Sequence, residues 1–185
     1  MKKLAVEATA VSLFYLAASF IAFAVVMPVQ QSLFPGLENR ASLLFLPHGV
    51  KVLSAWLLGW RSSIALLPGV LAVFAYFAGW GVFAPHRMIA VLAAVLVPAA
   101  VFYLSKRIGW DLFPKVGRRP RWASIMIVGL VISVVSSVLS NLAYGNSPQN
   151  YIAYLIGDFF GLFFLCLIMM FAFRALRSMA VPTDR

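Results

Sequence analysis

Six apolar runs, separated by short polar stretches, make up nearly the whole chain: Leu4–Met27, Leu43–Trp60, Ser63–Trp80, Met88–Ser105, Trp122–Tyr144 and Tyr151–Phe173. A helix that crosses a bilayer needs about 20 mostly apolar residues, and each run meets or approaches that length. The pattern predicts an all-α, polytopic membrane bundle of six transmembrane helices. The longest connection, Lys106–Arg121, is too short for a soluble catalytic domain. Residues 1–185 are therefore expected to form a single integral membrane domain.

Composition agrees with that pattern. Hydrophobic residues make up 63% of the chain and charged residues 11%, against roughly a quarter charged in a soluble domain. The first run follows Lys2 and Lys3 as the apolar part of a signal peptide would. Such a segment is only about 7 to 15 residues long, so this longer run, with Glu7 near its start, reads as a retained span. The net charge of +10 is informative through its distribution. With the N-terminus cytoplasmic, Lys2, Lys3, Arg61, Lys106, Arg107, Lys115, Arg118, Arg119, Arg121, Arg174, Arg177 and Arg185 all fall inside, while Arg40 and Arg87 fall outside. This is the positive-inside asymmetry; it predicts both termini in the cytoplasm. Trp60 and Trp80 bracket the third run and Trp110 and Trp122 flank the basic loop, as interfacial belts require. Attraction of the basic loops to anionic lipid is secondary, and no aromatic–basic surface for nucleic acid exists outside those short loops.

Ionisable residues inside such runs are costly and by default candidates for function. His48 and Lys51 interrupt the second run and Asp158 the sixth. Both runs lead from outside to inside, and at 1.5 Å per residue the three residues fall roughly 10 to 15 Å below the outer boundary. His48 and Lys51, three apart, share a helix face. Equal depth permits a Lys51–Asp158 pair that fixes how the two helices pack, with His48 bonded nearby. It equally permits a cavity for a small polar or anionic ligand, with Asn141, Tyr151 and Tyr154 at its rim. Ser133, Ser136, Ser137, Ser140 and Asn141 form a stripe on the fifth run, and Gly157 and Gly161 a GxxxG pair around Asp158. Gly157, Gly161, Ser133 and Ser137 read as helix-packing residues, since small and hydroxyl-bearing side chains line membrane helix interfaces. Pro47 and Gly49, and again Pro68 and Gly69, are expected to loosen their helices.

Signs of catalysis are missing from the sequence. His48 and His86 are far apart, no Cys or carboxylate spacing suits a metal, and five acidic residues provide no paired carboxylates. The serines lie outside any nucleophile-elbow context, the glycines form no phosphate loop, and Cys166 reads as a helix-packing residue. The chain is read as non-enzymatic. No cofactor is indicated.

The stretches Phe45-Leu46-Pro47-His48-Gly49-Val50-Lys51-Val52, Ala55-Trp56-Leu57-Leu58-Gly59-Trp60-Arg61 and Leu67-Pro68-Gly69 resemble bacterial membrane-associated sensor (MASE-type) domains. The stretch Ile156-Gly157-Asp158-Phe159-Phe160-Gly161 is similar to the Gly-Asp-x-x-Gly of a late helix in that family. Together these cover about a third of the chain. The resemblance implies a sensory module in the bacterial cytoplasmic (inner) membrane, without the kinase or cyclic-dinucleotide output domain that family members usually carry. The expected function is a stand-alone sensory or ligand-binding module acting through a partner protein. Two other readings stand beside it: an accessory or assembly subunit of a larger membrane complex, and a small transporter or its substrate-binding component. The expected partners are the lipid bilayer and another membrane protein or complex.

Overall fold

Residues 2–33, 42–115, 121–144 and 151–180 are described by the computed structural model. Among them every regular element is helical. The first apolar run forms one continuous rod: α1 (Lys2–Phe20), a π-helical stretch (Ile21–Val26) and α2 (Met27–Leu33). Then come α3 (Leu46–Leu58), α4 (Arg61–Ala78) with a 3₁₀ extension (Gly79–Phe83), α5 (Pro85–Arg107), α6 (Trp122–Tyr144) and α7 (Tyr151–Ala180). Five segments are long and apolar enough to cross a membrane: Lys2–Leu33, Arg61–Phe83, Pro85–Arg107, Trp122–Ser140 and Tyr154–Leu176.

The second apolar run differs from the other five. Its helix, α3, has 13 residues, about 20 Å at 1.5 Å per residue, against the ~30 Å hydrocarbon core of a bilayer. Pro47 is the reason it starts late. Instead of breaking a longer helix, it occupies the first turn, where a missing N–H costs nothing and its fixed φ suits the helix. Before it, Phe45 has φ −95° and ψ 78°, and its N–H donates to the Gly157 carbonyl of α7 at 2.9 Å. At the other end Gly59 takes φ +57° beneath the Tyr103 ring, a conformation that favours glycine.

Packing puts α3 at the centre. Its residues Leu46 to Trp56 are all buried, and it touches α1, α4, α5, α6 and α7. Around it α1 packs on α4, α4 on α5, α5 on α6 and α6 on α7. Among the described residues the backbones of α7 and α1 do not come close to each other. The lead-in to α3 stands on that side, with Phe45 against the Phe23 ring at 6.0 Å and against the glycines of α7. A Cβ on Gly157 would overlap the Ser42 carbonyl, and one on Gly161 the Phe45 carbonyl. The GxxxG pair thus lies where α7 meets another part of the same chain.

Two more contacts tie the outer helices to this frame. Ser12 of α1 donates to the Ala65 carbonyl at 3.0 Å and accepts the Gly69 N–H at 3.1 Å. Those two groups pair with each other in a regular helix, so a neighbouring hydroxyl satisfies α4 where Pro68 and Gly69 interrupt it. At the basic end of the bundle, Arg61 pairs with Glu7 at 2.7 Å. There Trp56 Nε1 donates to the Leu112 carbonyl at 2.6 Å, Trp60 stacks on Tyr103 at 5.3 Å, and Lys115 binds Asp111 at 2.9 Å. The hydrogen bond from Lys115 holds the Asp111 carboxyl below its ordinary range.

Candidate functional site

The N-terminal end of α3 delivers His48 and Lys51 into the centre of the bundle, with 1% and 8% exposure. Asp158 reaches His48 from α7, and Ser133 reaches Asp158 from α6. The helices are held at this spacing by Gly49, Gly157 and Gly161, where a larger residue would strike backbone or Leu165. Asp158 lies seven residues into α7, about 10 Å along its axis.

His48 has a defined seat. Its Nε2 lies 3.1 Å from the Gly129 carbonyl of α6, and its Nδ1 lies 3.3 Å from Asp158 Oδ2. The second contact is at ion-pair distance without hydrogen-bond alignment, which leaves Nδ1 buried with no aligned partner. Ser133, fully buried, donates its hydroxyl to the same Oδ2 of Asp158. One carboxylate therefore gathers a histidine from α3 and a serine from α6.

Lys51 is placed differently. Among the described residues no carboxylate stands at ion-pair distance from it. Its ammonium runs back along α3 and sits over the Phe45 ring, 5.9 Å from the centroid. Asp158 acts on it only at longer range. A cation–π contact contributes about 0.5 to 2 kcal/mol, whereas burying an unpaired ion costs several. The N-terminal end of α3 adds a positive helix dipole on the same side. This corner of the bundle thus holds one ammonium, on Lys51, and one carboxylate, on Asp158, that are not in direct contact.

Of the residues singled out in the sequence, His48, Asp158, Ser133, Gly157 and Gly161 meet directly around one carboxylate and one helix crossing. Lys51 lies beside them. Ser137, one turn beyond Ser133, is half-buried. Tyr154 is 47% exposed and makes no hydrogen bond to the group. The side chains of Asn141 and Tyr151 lie outside the described residues.

Three participants carried no signal in the sequence. The Gly129 carbonyl is one of many backbone acceptors. Phe45 is one of 16 phenylalanines. Tyr15 of α1 is buried to 3% exposure and within range of the Asp158 charge; only its place on the stripe Ser12, Tyr15, Ser19 could have marked it. Among the described residues no group of three or more His, Cys, Asp or Glu side chains is arranged to hold a metal. No family model matches the chain, and neither the curated proteins nor the solved structures contain a match to it.

Proposed function

We propose that this multi-pass membrane protein is a non-enzymatic sensory module. It binds a small anionic ligand beside Lys51 and passes its occupancy through α3 to the basic end of the bundle, where a partner protein reads it. The observation that carries this reading is the Lys51 ammonium, buried on the central helix with no carboxylate at ion-pair distance among the described residues. An anion with its own carboxylate or phosphate oxygens would give that ammonium a direct partner, and the His48–Asp158–Ser133 group would fix its orientation.

The relay has a physical route. Every other long helix packs on α3, so a shift of α3 cannot be confined to the site. Its inner end is bonded through Trp56 to the Leu112 carbonyl, in the loop that also carries Asp111 and Lys115. With the basic end cytoplasmic, that loop faces the compartment where a signalling partner would sit. The motifs that resemble MASE-type domains, around Pro47–Lys51 and Gly157–Gly161, are the two that pack on each other here.

Hydrogen exchange on the full chain in nanodiscs tests this, with acetate, succinate and inorganic phosphate as probes. A probe that binds is expected to slow exchange in α3 and to change it in residues 108–115. Lys51→Met should remove both responses. Trp56→Phe, which keeps an aromatic ring but loses the N–H donor, should keep the first and lose the second. If saturating probes leave α3 and the loop unchanged, the reading is wrong.

A further inference from the structure

We infer that the anion seat at Lys51 is proton-coupled: the His48–Asp158 pair takes up one proton when the anion binds and gives it back when the anion leaves. This rests on the ligand-binding reading above and adds how the same site is regulated.

A carbonyl oxygen only accepts, so the contact of Nε2 with the Gly129 carbonyl at 3.1 Å requires the proton on Nε2. A neutral ring then presents a bare lone pair at Nδ1, 3.3 Å from Asp158 Oδ2. With Asp158 ionised, two negative ends face each other in a buried site. The opposite tautomer only moves the conflict to Gly129. One added proton removes it, whether the pair becomes imidazolium and carboxylate or imidazole and carboxylic acid. Ser133 already donates to the carboxylate and has no second hydrogen to offer.

Counting charge links this proton to the anion. Without it, Lys51 and Asp158 sum to zero with a neutral ring. With it, the group carries one positive charge, in a medium where charges interact strongly. An incoming anion cancels that charge. Anion and proton therefore each favour the other's binding by the same factor.

Few other groups could take the proton. From the elements packed against α3, Tyr15 of α1 and Asp158 of α7 face the site, and Lys51 shares its helix. Residues 62–75 of α4, 88–102 of α5 and 122–140 of α6 contain no Asp, Glu, Lys, Arg, His, Cys or Tyr. Glu7 lies two turns from Tyr15 and is paired with Arg61, and Cys166 lies two turns from Asp158.

Calorimetry of succinate, acetate or inorganic phosphate binding to the full chain tests the coupling. Repeating each titration in buffers of different ionisation heat counts protons. Above the pH where the pair releases its proton, wild type is expected to take up about one proton per anion, its affinity falling roughly tenfold per pH unit. His48→Gln and Asp158→Asn should each bind with no proton uptake and a flat pH profile. A phosphatidylglycerol arm separates sources: if that lipid takes up the proton and blocks the soluble anions, the anion is a headgroup and the coupling stands. Wild-type binding with no proton uptake and pH-independent affinity would overturn the coupling and leave the ligand-binding reading intact. No binding by any probe or by anionic lipid, at any pH, would overturn both.

Discussion

Asp158→Leu is expected to destabilise the bundle by about 3 to 5 kcal/mol, the usual cost of removing one member of a buried charged pair. The leucine is close in size, so lost packing is not the cause. It leaves Ser133 with a buried hydroxyl and no acceptor, and takes away the carboxylate that faces both His48 and the field of Lys51. Asp158→Asn should cost far less. Its amide oxygen still accepts from Ser133, and its NH₂ can donate to the Nδ1 of a neutral His48 whose other nitrogen remains on Gly129. Reversible unfolding of the two variants in mixed micelles reads the difference directly. Equal losses would mean that the carboxylate's hydrogen bonds are not what matters at this position.

The second large effect concerns the notch that receives α3. Gly161→Ala is expected to cost about 1 to 3 kcal/mol, the range for overpacking. The upper part applies because its Cβ would overlap the backbone carbonyl of Phe45, which cannot swing aside. Gly129→Ala is the matched control. There the obstacle is the far end of the Leu162 side chain, which can change rotamer, so a few tenths of a kcal/mol are expected. Thermal unfolding of both in one detergent decides between them. Gly161→Ala should also weaken any anion response, since the same contact sets the distance between Asp158 and His48. A tolerated Gly161→Ala alongside a damaging Gly129→Ala would contradict this view of the α3–α7 crossing.

Much of this architecture was legible from residue order, and what was not has physical causes. The fifth apolar run and α6 share their limits, Trp122 and Tyr144, because a long uninterrupted run in lipid must be helical to satisfy its backbone. The second run was read as a span over residues 43–60, yet its helix covers 46–58. A segment buried on all sides by protein is as apolar as one facing lipid, so hydropathy alone does not measure its helical length. Depth along the chain puts His48, Lys51 and Asp158 near one level, and the structure brings His48 within 3.3 Å of Asp158. It did not say which basic residue would meet the carboxylate. That depends on helix rotation, which Gly157 and Gly161 set by docking on Ser42 and Phe45. With that rotation the short His48 side chain lies against Asp158, while the longer Lys51 chain turns toward Phe45. Ser133 was visible as one of a stripe, but its selection over Ser137 also follows from rotation.

The central claim is that His48, not Lys51, is the partner of Asp158, which leaves the Lys51 charge available to a ligand. Two double-mutant cycles on unfolding free energy test it most directly: His48→Asn with Asp158→Leu, and Lys51→Met with Asp158→Leu. Contacting residues couple by about 0.5 to 3 kcal/mol. The His48 cycle is expected to fall in that range and to exceed the Lys51 cycle clearly. A larger coupling in the Lys51 cycle would contradict it, by showing that the ammonium and the carboxylate neutralise each other and that no charge is left for an anion.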